Sequence, residues 1–381
     1  MINLRRGPFV EGTFAAPARG PRTTTRIGTA LGIAFTVCFL TGLISHFIQH
    51  PAWFTTWPTR PVNLYRLTQG LHVTTGFATI PLLAAKLWSV YPKFFRWPPL
   101  KSIADAAARL SILVLAGTAI FELISGLVDM ARWYTAMPFF FTVAHYWTAW
   151  IVIGSIVVHV AAKITIIRTS RDEIAIEPRD GSLSRRNFFI AAGAGSGLVV
   201  FAIVGQTFRP LRAVSALAQR DPGVGSQNVP VNKSAQVAGV KSTARDPNYR
   251  LTVQAEESIS LSLRDLQAMK QYTVQLPITC VEGWSASATW TGPRLADVLK
   301  LAGWDASHGE VSVGSLQKGG LYRASILPVF FAMDDLTLLA LKLNGETLDL
   351  DHGYPARLIA PNRPGVLQTK WVNLLKAGAG K

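Results

Sequence analysis

Cysteine is nearly absent from this chain. The two present, Cys38 and Cys280, fall in different halves, so they supply no disulfide framework, and each thiol needs its own explanation. Acidic residues are also few, 22 against 38 Lys and Arg, for a formal charge of +16. An excess of that sign suits nucleic acid in principle. Its placement excludes that reading, because the basic residues lie between apolar segments, where they set membrane orientation. Internal repeats and broken apolar helices are missing as well, which argues against a transporter-like bundle.

Apolar sequence is abundant instead. The hydrophobic fraction is 49% and the mean hydropathy is +0.26, high for a soluble protein. A basic tail over 1–26 (Arg5, Arg6, Arg19, Arg22, Arg26) precedes an uncharged stretch from Ile27 to about Phe47, long enough to cross a bilayer. A Trp- and Pro-rich loop comes next, with Trp53 and Trp57 as expected interface anchors. Further spans are predicted over about 67–90, 110–128 and 139–167, making a four-helix membrane domain over 27–170. Positive residues gather in the tail, around Lys93, Arg96 and Lys101, and after the fourth span (Lys163, Arg168, Arg171, Arg179). The N-terminus is therefore expected in the cytoplasm of a bacterial cell, with the chain passing several times through the inner membrane lipid.

Ser184-Arg185-Arg186-Asn187-Phe188-Phe189 opens a fifth, Gly- and Ala-rich apolar segment over 184–206. It resembles a twin-arginine translocation signal, which implies the twin-arginine export machinery as a partner and an extracytoplasmic position for the C-terminal residues. Ala216-Leu217-Ala218 has the form of a signal-peptidase site, but an uncleaved anchor is favoured because a tether keeps two redox centres close. After a linker over 207–229 the sequence turns polar. Alternating segments (Tyr249–Val253, Glu310–Val313) predict strands, and 262–269 and 294–301 predict short helices, giving a mixed α+β domain over 230–381.

Five of the seven histidines precede the twin arginine. His72 lies one turn into the second span. His145 and His159 are fourteen residues apart in the fourth, which on an α-helix is about 21 Å along nearly the same face. Imidazoles so placed suit haem iron. Gly70-Leu71-His72 with Gly76, and His145 with His159, make this half similar to the cytochrome b561 and formate-dehydrogenase gamma-subunit type of four-helix membrane cytochrome. The resemblance implies that His72 and His145 are axial ligands of a haem b. His159 would serve a second haem, but its expected partner near the start of the first span is missing, where the chain reads Thr25-Arg26-Ile27-Gly28-Thr29. One haem is thus expected, with a second left open. His46 and His50, at the far end of the first span, either compete for the first haem or lie at the interface. Glu122 either takes a proton from quinol or hydrogen-bonds a neighbouring helix as a neutral acid. Lys86 is expected to snorkel, and Cys38 to pack as a small hydrophobe.

In the polar half, several motifs occur in order: Thr279-Cys280-Val281-Glu282-Gly283-Trp284, Trp290-x-Gly292, Leu338-Leu339-Ala340, Asn344-Gly345-Glu346, Asp351-His352-Gly353-Tyr354-Pro355-Ala356-Arg357 and Lys370-Trp371. Together they resemble the molybdopterin-binding domain of the sulfite oxidase family, which includes bacterial methionine-sulfoxide-reducing subunits. The resemblance implies Cys280 as the one protein ligand to molybdenum, a soft thiolate suited to that metal. It also implies His352, Arg357 and Lys370 around the pterin phosphate, Tyr322 near the metal and Asn232 as a further cofactor contact. Two features depart from the family: Leu367 stands where a lysine is common, and the domain starts late. Arg323 and Arg363 are candidates for holding an oxyanion. The expectation is a membrane α-helical bundle followed by an α+β sulfite oxidase-like domain. Such a chain would be a molybdenum-dependent oxidoreductase exchanging electrons between a small substrate, such as an S- or N-oxide, and quinone through haem b. The alternative is a redox or cofactor-binding protein whose molybdopterin domain has lost turnover.

Overall fold

The structure, a computed structural model, describes residues 16–95, 102–136, 141–169 and 183–378. Arg5, Arg6, Arg96, Lys101, Arg171 and Arg179, on which part of the orientation reading rests, lie outside these residues. Two compact units emerge. One takes the chain up to Leu43 together with Leu71–Ile203; the other joins Ile44–Gly70 to the chain from Val204 onward.

Among the described residues, five helices are long and apolar enough to cross a membrane: α1 (Pro21–Gln49), α2 (Leu64–Val90), α3 (Ile103–Ala131), α4 (Phe141–Thr169) and α5 (Arg185–Val204). The first three outrun their apolar stretches in the sequence. Polar residues continue a helix when a proline or cap starts it: Pro21 opens α1, where a missing N–H costs nothing. Ser102 caps α3 by accepting from the Asp105 N–H at 3.1 Å.

In the first unit α1 to α4 each contribute one buried residue, Phe35, Leu83, Ala119 and Val152, to a shared apolar cluster. The α5 helix adds Phe188 and Ala192 to a second cluster with Ile27 and Ala18. Pro81 sits inside α2, and in the turn it disturbs, Ser196 Oγ of α5 donates to the Ala78 carbonyl at 3.0 Å. Apolar side chains such as Ile33, Val157 and Leu198 point outward and are exposed, as lipid-facing residues would be.

The second unit is built on sheets. Strands β1 (Arg250–Gln254), β2 (Ser258–Ser262), β5 (Val311–Ser315), β6 (Ala324–Leu327) and β11 (Val372–Ala377) form a five-stranded sheet in the order β2-β1-β11-β5-β6; β1 pairs parallel with β11, and the other pairs are antiparallel. A second sheet runs β3 (Tyr272–Thr279), β4 (Ser285–Gly292), β8 (Lys342–Leu343), β9 (Glu346–Thr347), and β7 (Leu338–Ala340) pairs with β10 (Arg357–Ile359). Helix α6 (Leu263–Ala268) starts on a capping box made by Ser262 and Asp265. Leu295, Val298 and Leu299 of α7 (Leu295–Lys300) are fully buried in the larger core with Leu251, Val313 and Leu375. Strands β1 and β5 and helices α6 and α7 fall where alternation and helical spacing predict them.

The segment 44–70 is the surprise of this unit. Trp57, expected from sequence at a membrane interface, instead packs against the core and donates Nε1–H to the Asn362 carbonyl at 2.9 Å. The Asn362 side chain donates to Pro58 O and accepts from the Tyr65 N–H, both at 2.6 Å. Arg60 grips Asp334 through two hydrogen bonds at 2.8 and 3.0 Å. Trp53, by contrast, is exposed. No local pattern in 44–70 announces this, because every partner lies far away in the chain.

Candidate molybdenum and haem sites

Cys280 occupies the turn that joins β3 to β4. The hairpin closes with Cys280 N–H donating to Trp284 O at 2.9 Å and Gly283 N–H donating to Cys280 O at 3.0 Å. Gly283 has φ +92°, a conformation an L side chain rarely adopts, which fits glycine at this point of the motif. The thiol is buried, and Asn232 Nδ2 lies 2.6 Å from Sγ. Trp284 Nε1–H is shared between Asn232 Oδ1 at 3.1 Å and Glu282 Oε2 at 3.2 Å. Asn232, the weaker cofactor candidate by sequence, is thus placed directly against the expected metal ligand.

His352, Arg357 and Lys370 come together at a glycine. Gly353 has φ +113°, and a Cβ there would meet Lys370 Cβ at 3.1 Å and Arg357 Cβ at 3.3 Å, so the bare backbone lets the two basic stems approach. Arg357 is buried; Nη1 donates to His352 O at 3.1 Å, and Nε has no hydrogen-bond partner among the described residues. Burial holds its guanidinium down at about 9. Lys370 Nζ donates to Asp351 O at 2.6 Å and Lys233 O at 2.9 Å, and burial, with Arg357 close by, pushes its pKa well below the ordinary range. His352 donates through Nε2 to Ser226 O at 2.7 Å, and burial, then the Arg357 charge, lower it to about 4. A buried guanidinium with a spare donor and a depressed ammonium beside it is costly without an anion. A phosphate supplies that anion, so these residues fit the end of a pterin cofactor.

The remaining candidates separate clearly. The half-exposed Tyr322 donates its hydroxyl to Gln49 Oε1 at 3.2 Å. Arg323 is exposed and donates to Lys318 O, whereas Arg363 is buried, donates through Nη2 to Ile326 O at 2.9 Å and leaves Nη1 without a partner among the described residues. Leu367 lies in a short 3₁₀ turn over Gly365–Leu367.

In the helical unit, the rings of His72 and His145 lie edge to face, with centroids 6.4 Å apart and planes at 82°. Two imidazoles bound to opposite sides of one metal, at about 2.0–2.1 Å each, hold their ring centres roughly 6 to 6.5 Å apart. The second nitrogen of each ring is occupied. His72 Nδ1 lies 2.8 Å from the Cys38 carbonyl, and His145 Nδ1 lies 2.8 Å from Ser125 Oγ and 3.2 Å from Glu122 Oε2. Among the described residues neither Nε2 has a hydrogen-bond partner, and in a ligating histidine a partner on the other ring nitrogen fixes the tautomer. Gly42 makes room: a Cβ there would meet His72 Cε1 at 2.7 Å. These residues fit haem iron.

One reading changes here. Cys38 is more than a packing residue, because its carbonyl orients His72 and its Sγ lies 3.6 Å from the same ring. Glu122 meets His145 on the neighbouring α4, in line with the second of its two readings, a contact to a neighbouring helix. Lys86 turns its ammonium to the Thr24 carbonyl at 2.9 Å, in the first turn of α1, a direction compatible with snorkelling. Among the described residues His159 makes no ring pair of this kind, and His46 and His50 pair with each other, centroids 4.9 Å apart.

A buried thiol on a hairpin turn, in a unit that also gathers a buried cationic cluster suited to phosphate, fits a pterin–metal domain. Comparison with known proteins agrees. Residues 237–379 match the family described as oxidoreductase molybdopterin binding domain. Human mitochondrial sulfite oxidase is 34% identical over 157 residues, covering 33% of this chain and 29% of that protein. The NADPH nitrate reductase of Aspergillus niger is 31% identical over 155 residues, covering 34% of this chain and 18% of the relative. An uncharacterized oxidoreductase of Bacillus subtilis, YuiH, is 32% identical over 113 residues, covering 29% of this chain and 55% of its own length. The C-terminal part is therefore a sulfite oxidase-type molybdopterin-binding oxidoreductase domain, following a helical region with several long apolar helices. The chain spans about three tenths of the human enzyme's length.

Proposed function

We propose that this chain is a membrane-anchored molybdenum-dependent oxidoreductase that exchanges electrons between a small extracytoplasmic substrate and the quinone pool. The observation that carries the reading is the His72–His145 pair, geometrically fit for haem b, in a chain that ends in a molybdopterin domain. Molybdopterin, when bound, supplies two-electron oxygen-atom chemistry, and haem b supplies one-electron steps. Cys280 supplies the thiolate, with Asn232 hydrogen-bonding its sulfur. His352, Arg357 and Lys370 hold the cofactor's phosphate by charge and N–H donors. Tyr322 would stand near the metal, as the family resemblance implies, where a phenol can donate to an oxygen.

Reduction of an S- or N-oxide is the favoured direction, from the bacterial sulfoxide-reducing proteins that the motifs resemble. The five apolar helices support a multi-pass position in a bacterial inner membrane. The twin arginine at Arg185–Arg186 supports export of the cofactor-loaded domain by the twin-arginine machinery, with the N-terminus left in the cytoplasm.

The test is metal and haem analysis of the purified full-length protein. About one molybdenum per chain, lost in Cys280→Ser, and a b-type haem band lost in His72→Ala and in His145→Ala are expected. A molybdenum-free protein would favour a domain without turnover and defeat the enzyme reading. Retention of one haem in His159→Ala is the expected count.

A further inference from the structure

The turn carrying Cys280 is held from outside the region that matches the molybdopterin domain. Pairing of β3 with β4 ends at Thr279 and Ser285, so the carbonyls of Val281, Glu282 and Gly283 lie beyond the strand ladder. Glu282, Trp284 and Ser285 are buried, and carbonyls in such a turn need donors. Three buried side chains supply them. Gln69 Nε2 donates to Val281 O, Gln206 Nε2 to Glu282 O at 3.4 Å and Thr207 Oγ1 to Gly283 O at 2.6 Å. The Gln206 carbonyl also accepts from the Ser285 N–H at 2.8 Å.

These donors are themselves fixed. Arg66 clasps Thr207 O through Nε at 3.1 Å and Nη2 at 2.7 Å. Gly70 gives Thr207 its space, since a Cβ at position 70 would meet Thr207 Cγ2 at 2.7 Å. Gln69, Gln206 and Thr207 all precede residues 237–379, the stretch shared with the family.

We propose that Gln69, Gln206 and Thr207 are positioning residues for the molybdenum ligand: they fix the backbone after Cys280 and thereby the direction of its Sγ toward the metal. The assignment rests on Cys280 being that ligand. A turn anchored carbonyl by carbonyl keeps the thiolate in one orientation through changes of metal charge. Freeing one carbonyl lets the turn rotate and changes the metal–sulfur overlap without removing a ligand.

The test uses full-length protein loaded with molybdopterin in the cell. Thr207→Val and Gln69→Leu remove a donor at nearly constant volume, Gly70→Ala displaces Thr207, and Thr207→Ser keeps the hydroxyl. Molybdenum content and the Mo(V) electron paramagnetic resonance spectrum are read during reductive titration. Thr207→Val and Gln69→Leu are expected to retain molybdenum, because Cys280 itself is kept. They should show shifted Mo(V) g-values, and a tenfold change in relative affinity for two oxidation states moves the midpoint by about 59 mV for one electron. Gly70→Ala should shift the g-values in the same sense, and Thr207→Ser should return the parent spectrum. Parent g-values and midpoint in Thr207→Val overturn the proposal, and so does molybdenum loss that serine fails to restore. Failure of the underlying reading is distinct: Cys280→Ser would then keep the parent Mo(V) spectrum.

Discussion

Glu122 holds a carboxylate oxygen 3.2 Å from Nδ1 of His145, while its other oxygen is buried without a partner among the described residues. A carboxylate behind a ligating histidine fixes the ring and makes it a stronger donor to iron. Loss of such a partner typically costs 10- to 100-fold in metal affinity. Glu122→Gln should therefore weaken haem binding by about tenfold, with Ser125 Oγ still holding the ring. Haem titration into the stripped protein, followed by its absorption band, measures this; parent-like affinity would place Glu122 outside the haem site.

Gly42→Ala is expected to cost haem as well, through space rather than charge. The new methyl would meet His72 Cε1 at 2.7 Å, and a ring fixed to the Cys38 carbonyl cannot retreat without breaking that bond. Overpacking of this kind costs about 1–3 kcal/mol. A haem-to-protein ratio equal to the parent's would show that α1 shifts instead.

Arg357 should separate folding from cofactor binding. Its guanidinium is buried, and among the described residues no carboxylate pairs with it, so Arg357→Met removes an unfavourable charge from the cofactor-free protein. The cofactor-free variant is expected to match or exceed the parent in stability, by about 1 kcal/mol or more. Molybdenum content should fall at least about tenfold. Denaturant unfolding beside metal analysis reads both, and a destabilised variant with full molybdenum would refute the assignment.

Acid should loosen the same cluster. Burial and the neighbouring Arg357 charge lower His352 to about 4, against an ordinary value of 6.5. Between those values the unfolded chain binds more protons than the folded one, so the stability is fully present above about pH 6.5 and is lost as pH falls toward 4. A shift of this size is worth on the order of 3 kcal/mol. Protection against hydrogen exchange across residues 350–359 of cofactor-free protein, taken relative to the intrinsic rate at each pH, should fall over that window, and His352→Gln should flatten the dependence. Equal slopes in both proteins would exclude His352 as the source.

Asn362 tests the segment 44–70. It has φ +53°, and its side chain bonds both Pro58 O and the Tyr65 N–H. Asn362→Gly keeps the backbone conformation and deletes both bonds, at about 1–3 kcal/mol for each buried group left unsatisfied. Proteolysis within 50–60 should accelerate at least about tenfold; unchanged cleavage would show the segment held by Arg60 and Trp57 alone.

Much of the architecture is legible because it is written locally. Runs of apolar residues specify α1 to α5, alternation specifies β1 and β5, and spaced motifs draw attention to Cys280, His352 and Arg357. Less is visible where the cause is tertiary. Glu122 and Cys38 are ordinary helix residues until another helix sets an imidazole beside each. Gln69, Gln206 and Thr207 belong to no motif, and their task appears only when the carbonyls of a distant turn come within reach. Trp57 misleads for the same reason: an aromatic in a Pro-rich loop looks like an interface anchor unless its partner 305 residues away is known.

That separation has a bearing on how the molecule is made. The Trp57–Asn362 bond closes across 305 residues, and the Gln69–Val281 bond across 212. Ends so distant meet late, because loop closure must precede any gain from contact. Early synthesis delivers one half of this seam and the C-terminal residues deliver the other, so maturation includes a docking event within a single polypeptide. A ribosome-stalled or truncated product would carry Ile44–Gly70 with its hydrogen-bonding groups unmatched, and quality-control proteases would find their cleavage site there.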